Sequence, residues 1–307
     1  NPRYEATILN ARIRKAYLKN KTKIISLNDV GDLTYPYDCL NGNIENIKKI
    51  SDDNHAISKL IKEAKKPLVV FGQSALKIKS AKYIFESIKS FLKKNNKISD
   101  EWNSLNIISE NAATVGSFDL GLYKTEDGTN EVLNDLENHK FEIIYLLGVD
   151  NLKFQKKNEF IIYQGSHGDK GAEMADIILP GAAYTEQNGY FTNLEGKLQK
   201  AYKASYPPEE AKEDWLIINE LAETMNHRKL FNDKDELDSS LLNQINLYIK
   251  KNNSIKSSDV VNLEFNDEVL KINNEDYYYS NVIARASKTM FECKTTKANF
   301  KSTGTEG

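Results

Sequence analysis

The stretch ADIILPGAAYTEQNGYFTNLEGKLQ, Ala175 to Gln199, opens as an apolar run, passes through small residues and ends in polar turns set with aromatics. The β-branched start, closed by Pro180 and Gly181, reads as a strand that stops there. Small residues just past a strand end have two uses. They let the backbone approach a phosphate or a pterin, with helix N-termini favouring the negative charge, or they let one part of the chain pack closely on another.

Working outward, short runs of the same kind recur: KIISL at 23–27, PLVVFG at 67–72, LNIIS at 105–109, EIIYLLG at 142–148, FIIYQ at 160–164 and DIIL at 176–179. Continuous apolar runs of this length read as buried parallel strands. Helical patterns separate them. Ala81, Ile84, Phe85, Ile88, Phe91 and Leu92 form one stripe in the stretch 74–94. Trp215, Ile218, Leu221 and Ala222 do so in 207–225, after a Pro-Pro and acidic start. Strands alternating with helices argue for an α/β fold of doubly wound, mostly parallel sheets.

The first residues read as a loop entering a helix, with Leu9, Ile13 and Tyr17 on its inner face. A strand should precede such a loop in an α/β unit, so the region 1–228 is expected to be N-terminally truncated and built of two intertwined lobes. From 229 the pattern decays, and 229–293 is expected as a helical or irregular docking tail with an aromatic cluster at Tyr277, Tyr278 and Tyr279. The small, polar end, 294–307, is expected to be disordered.

Composition excludes several classes. The 307 residues carry a formal net charge of −2, which gives neither the basic footprint of a nucleic-acid binder nor a strongly acidic field. No apolar stretch reaches the ~20 residues of a membrane span, so no direct membrane insertion is expected. Cys39 and Cys293 are the only cysteines. An iron-sulfur cluster takes about four thiolates, so none is expected within this sequence, and both cysteines read as ordinary packed or surface thiols. Dinucleotide, P-loop and nucleophile-elbow motifs are missing from the sequence.

The polar candidates crowd into 165–199. His167 and Asp169 lie two apart between Gly165, Gly168 and Gly171. They read either as metal ligands or an acid/base pair, or as loop residues bonding backbone groups, and the lack of further ligands nearby favours the second. Glu186 would bind a substrate hydroxyl or take backbone donors of its own loop, the second being favoured. Gly189 and Gly196 read as turn residues with positive φ, and Asn193, Glu195 and Gln199 as local partners.

The order of these residues carries more than any one of them. A strand ending in Leu-Pro, then a Glu, then T-N-x-E-G-x-x-Q resembles a segment of the molybdopterin-family oxidoreductases. Within that superfamily the sequence is similar to the C-terminal half of the large iron-sulfur subunit of NADH:quinone oxidoreductase, respiratory complex I. The landmarks are NPRYEATILNARIRK (1–15), DLTYPYD (32–38), AKKPLVVFGQSAL (64–76), IIYQGSHGDKGAEMADIILPGAAYTE (161–186), TNLEGKLQ (192–199), EDWLII (213–218) and ARASKTMFEC (284–293).

The resemblance implies 2Fe-2S and 4Fe-4S clusters in an upstream region, and in this segment no cofactor of its own and no molybdenum. It makes His167, Asp169, Glu186, Asn193, Glu195, Gly196 and Gln199 a vestigial cradle without catalytic residues. It also implies partners among the other subunits of the hydrophilic arm, at the cytoplasmic or matrix face of the inner membrane. Tyr277, Tyr278, Tyr279, Arg285 and Met290 are the expected docking residues, since aromatic, Arg and Met side chains are favoured in interface cores. The alternative is a fragment of an active, formate dehydrogenase-like molybdopterin enzyme, or a free-standing α/β protein with a ligand in its switch-point crevice.

Overall fold

The computed structural model describes residues 1–109, 111–122, 128–149, 152, 154–252, 263–270 and 276–299. The chain forms two compact units: Asn1–Ala112 with Ser254–Glu275, and Ala113–Asn253 with Asp276–Gly307.

The first unit begins with a helical turn, α1 (Pro2–Glu5), and not with the expected loop. Pro2 stands at its first position and the Asn1 side chain caps it, which suits a helix start. The backbone breaks at Ala6 before α2 (Thr7–Asn20). On α2, Leu9, Ile13 and Tyr17 are half-buried as expected, but the deepest residue is Asn10. Its side chain donates to the Leu33 carbonyl and accepts the Tyr35 hydroxyl at 2.7 Å, which a buried amide needs.

Strand β1 (Ile25–Ser26) pairs in parallel with β2 (Asp38–Cys39). Then come α3 (Glu45–Ser51), α4 (Ala56–Glu63), β3 (Val69–Phe71), the helical turn α5 (Gln73–Leu76), α6 (Ala81–Lys94) and β4 (Leu105–Ile107), the last strand pairing with β3 in parallel. The core follows from the stripe on α6. Ile84, Ile88, Phe91 and Leu92 are all buried, against Ile44, Ile50 and Phe71. Burying each such side chain contributes about 1.5–3 kcal/mol. Phe71 also meets Phe85 edge to face at 5.6 Å. A segment from late in the chain completes this unit. Ser80 bonds the Asn266 backbone in both directions, and Phe265 packs tilted against Tyr83 with ring centres 5.0 Å apart.

The second unit opens with α7 (Thr114–Asp119) and α8 (Gly128–Glu137). Its sheet is parallel and three-stranded, in the order β5 (Ile143–Leu147), β6 (Phe160–Gly165), β7 (Ile177–Pro180), with α9 (Lys170–Met174) between the last two. Leu146, Ile161 and Tyr163 are its buried core. After the sheet, β8 (Gly189–Thr192) and β9 (Leu198–Ala201) form an antiparallel hairpin. Then follow α10 (Asp214–Asn226), α11 (Lys234–Asn252), a 3-10 turn at Tyr277–Tyr279, α12 (Val282–Ala286) and α13 (Lys288–Asn299). Asp238 of α11 holds the hairpin, accepting from Lys200 at 2.8 Å and from the Tyr190 hydroxyl. That bond to Asp238 pushes the Lys200 pKa up to about 12.

Several expectations change. All six predicted strands form, in small parallel sheets, but they are not buried on both faces. The polar turns of 189–201 are a hairpin. Helix α10 begins at Asp214 and not at the Pro-Pro pair, because Lys212 before it pairs with the Gly181 region and keeps the chain extended. Its buried positions are Ile217 and Asn219, while Trp215, Ile218, Leu221 and Ala222 are half-buried. The stretch expected as one tail is divided between the units, and α13 continues through Lys294 to Asn299, into residues expected to be disordered. Residues 300–307 lie outside the described residues.

Gly196 sits at φ +78 in the hairpin turn, whereas Gly189 lies in β8 and is not among the residues of positive φ. The two glycines therefore separate. A Cβ at Gly196 would meet nothing within 4 Å, so Gly196→Val should cost about 1–2 kcal/mol through backbone conformation alone. At Gly189 the nearest atom would be Phe191 at 3.8 Å, ordinary contact, and Gly189→Val should stay within about 0.5 kcal/mol of wild type in urea unfolding.

Candidate functional site

Ligands of open parallel sheets bind outside the carboxyl ends of the strands. In the second unit those ends are Leu147, Gly165 and Pro180. What stands there is a closed hydrogen-bond network. Gln164, with no exposed surface, donates to the Asp214 carboxylate at 2.8 Å and accepts from the Tyr145 hydroxyl. The other Asp214 oxygen accepts from Gln187 at 2.8 Å, and Gln187 in turn accepts from the Asp214 backbone N–H at 3.2 Å. Burial, and then the Asp214 charge, raise the Tyr145 pKa and keep its phenol protonated. Local folding places each partner: Gln164 is next to last in β6, Asp214 opens α10, and Gln187 lies in the loop before β8.

The glycines at these ends make room for protein. A Cβ on Gly165 would lie 2.2 Å from the Tyr163 hydroxyl, and one on Gly171 would lie 2.5 Å from the Val149 carbonyl and 2.9 Å from the Tyr163 ring. A Cβ on Gly181 would lie 2.9 Å from Asp214. Both edges of the Tyr163 ring thus depend on glycine, and its hydroxyl donates to the His167 carbonyl at 2.9 Å.

The residues nominated from sequence sit around this network in separate local roles. His167 pairs through Nδ1 with the Ser166 hydroxyl at 2.9 Å. Asp169 caps α9, accepting the Lys170 N–H, and its other oxygen accepts from Arg285 Nε at 2.8 Å. Burial works to raise the Asp169 pKa, but Arg285 and the Lys170 N–H outweigh it and hold the carboxyl below its ordinary value. Glu186 accepts the Ala183 N–H at 3.0 Å while its own N–H donates to the Ala183 carbonyl. Asn193 accepts the N–H groups of Glu195 and Lys197 and so closes the hairpin turn with Gly196. Gln199 is exposed on β9, in register with Phe191.

The tail residues also turn inward. Arg285 is joined to Asp169, and the ammonium of Lys294 lies 4.1 Å from the Tyr279 ring centre while that of Lys297 lies over Tyr278. Met290 is half-buried, and the side chain of Tyr277 lies outside the described residues. Arg285 thereby ties α12 to the loop after β6.

Sequence reasoning missed Gln164, Gln187 and Asp214, whose only signal is polar residues at a strand end and a helix start. It missed a second pair as well. Glu159, just before β6, meets His139 Nδ1 at 2.6 Å and accepts the Lys157 N–H at 2.7 Å. The backbone N–H groups of Lys157 and of Glu159 itself, then His139, lower its pKa to about 2. The pair borders a recess of about 250 Å³, and a second recess of about 460 Å³ is lined by Leu152, Phe154 and Met174. Neither recess contains a residue nominated from sequence. Among the described residues no group of three or more His, Cys, Asp or Glu could hold a metal ion; Cys39 is half-buried and Cys293 exposed.

Small parallel sheets with helices between them, and a glycine-bordered strand end leading through Glu186 to the Asn193 turn, define the class. The chain belongs to the molybdopterin oxidoreductase family, whose model matches residues 1–224. It is 34% identical over 304 residues to the NADH-ubiquinone oxidoreductase 75 kDa subunit of Reclinomonas americana, an alignment covering 96% of this chain and 43% of that protein. Identity is also 34% over 310 residues to an NADH-quinone oxidoreductase subunit of Rickettsia bellii, covering 99% and 44%. It is 31% over 328 residues to the mitochondrial NADH-ubiquinone oxidoreductase 78 kDa subunit of Neurospora crassa, covering 100% and 43%. The chain thus spans less than half the length of these relatives.

The strand ends of the second unit do not fit a pterin cofactor. The donors and acceptors that would hold one are bonded to each other, and the space beside Gly165, Gly171 and Gly181 holds Tyr163, the Val149 carbonyl and Asp214.

Asp214→Ala should destabilise the second unit by about 1–3 kcal/mol, since it strips the buried Gln164 amide of its carboxylate partner; chemical denaturation reads the change. Glu159 gives a pH signature. Its folded pKa is depressed, so its contribution is full above the unfolded carboxylate value and is lost as pH falls towards about 2. Glu159→Gln should flatten the fall in melting temperature between about pH 4.5 and pH 2, and an unchanged acid limb would count against the pairing.

Proposed function

We propose that the chain is the C-terminal part of the large iron-sulfur subunit of a respiratory NADH:quinone oxidoreductase, serving there as a non-catalytic body. Electrons from NADH pass towards quinone through 2Fe-2S and 4Fe-4S clusters bound by the polypeptide that precedes this part. The body braces that cluster-bearing region and docks neighbouring subunits of the hydrophilic arm, peripherally at the cytoplasmic or matrix face of the membrane. In the assembled subunit its small sheets join doubly wound ones.

The observation that carries this reading is the closure of the strand ends around Asp214. A cofactor cradle keeps donors aimed into open space, but here Gln164 and Gln187 are turned onto one carboxylate and Tyr145 onto Gln164. His167, Asp169, Glu186, Asn193, Glu195, Gly196 and Gln199 then constitute a vestigial cradle kept as scaffold. Identity along nearly the whole chain to subunits of NADH dehydrogenases supports the assignment of the parent complex.

Molybdenum and tungsten analysis, with pterin fluorescence after acid oxidation, tests it on purified protein. Metal and pterin should be at background while iron and acid-labile sulfide are found in the full-length subunit. Stoichiometric molybdenum or tungsten would instead favour the formate dehydrogenase-like alternative.

A further inference from the structure

The chain leaves the second unit at Asn253 and returns to it at Asp276, and between those positions it belongs to the first unit. The described part of this excursion, 263–270, forms no helix or strand, only a single bridge of Val269 with Asn43. Its backbone is met instead by groups spaced along the first unit. The Ser80 hydroxyl accepts the Asn266 N–H at 2.8 Å and donates to the Asn266 carbonyl at 3.0 Å. Further on, the Leu270 N–H donates to the Gly42 carbonyl at 3.1 Å, and the Leu270 carbonyl accepts from the Asn28 side-chain amide. Phe265 lies against Tyr83, with the Lys48 ammonium 5.2 Å from its ring centre.

The start of α6 shows what this segment supplies. Ser80 stands at the N-cap of α6, but its side chain makes no cap bond to that helix. Its hydroxyl goes to Asn266, and its backbone N–H donates to the Glu268 carboxylate at 3.1 Å. Helix starts carry N–H groups without partners inside the helix, and their dipole favours an acid. Glu268 provides one from outside.

We infer that 263–270 is a releasable strap, which undocks from the first unit in one piece while the α6 core stays closed. The core beneath is assembled from other residues. Ile84, Ile88, Phe91 and Leu92 pack with Ile44, Ile50 and Phe71, and Phe265 adds only a partly buried contact. The strap also buries little of itself: Leu270 is 8% exposed, but Val269 is 64% exposed, and Glu264 and Asp267 are exposed as well. Segments with few buried apolar contacts open at lower free energy than the core they rest on. Release in one piece follows from the spacing of the anchors. Phe265, Asn266, Glu268 and Leu270 all meet the first unit within one short stretch, so losing one anchor loosens the next. The uncovered groove offers Tyr83 and Lys48 for a ring and the start of α6 for a carboxylate, which is the strap's own pattern.

Native-state hydrogen exchange of the full-length protein, read at single amides by NMR, tests the inference. The Asn266 and Leu270 amides should be less protected than those of Ile88 and Leu92 in α6 by about tenfold or more. Ser80→Ala should lower the protection of both strap amides by a common factor and leave Ile88 and Leu92 unchanged. Equal protection of the strap and α6 amides in the wild type would overturn the inference, and this comparison stands even where the variant fails to fold. A Ser80→Ala protein in which Asn266 alone loses protection, or in which Ile88 and Leu92 lose it by the same factor, would overturn it too.

Discussion

Asp214 is the constraint on which the second unit depends. One carboxylate joins the end of β6, through Gln164, to the loop before the hairpin, through Gln187, and does so at the first turn of α10. A carboxylate in a first helical turn is favoured by the helix dipole, so the charge is stabilised where three segments converge. Gly181 has to be glycine-sized because that carboxylate lies where a Cβ would go. The glycine after Pro180 is thus explained by packing against a charged partner.

The same economy of partners runs through the rest of the unit. Tyr163 fills the space beside Gly165 and Gly171 and bonds the His167 carbonyl, which fixes the loop that carries Asp169. Asp169 caps α9 and receives Arg285 from the end of the chain. The tail is thereby tied to the loop after β6, and lysines of α13 lie over the rings of Tyr278 and Tyr279.

Much of the fold was legible because it rests on short-range pattern. The six β-branched runs became strands, and the α6 stripe became the core of the first unit, since both signals depend only on spacing. The site was legible in its loops alone. Asn193 and Glu186 bond backbone within a few residues, as their types predict. Gln164, Gln187 and Asp214 escaped because their bonds span as many as 50 positions and nothing in their neighbours announces them. The start of α10 was misplaced for a related reason: the pairing of Lys212 with the Gly181 region is tertiary and overrides the local Pro-Pro signal. The hairpin was missed because β8 and β9 are only four residues each, half of them half-buried, so neither shows a clear alternation.

The central claim is that the strand ends serve as architecture. The most direct measurement is NADH:quinone turnover per assembled complex after Gln164→Met and Gln187→Met are introduced together, which removes the polar closure while largely keeping side-chain volume. The account predicts that turnover per assembled complex is unchanged, total turnover falling only in proportion to the amount of subunit assembled. Full assembly with turnover lost would contradict it, because a group bound or a step carried out at those strand ends would then be required for the reaction.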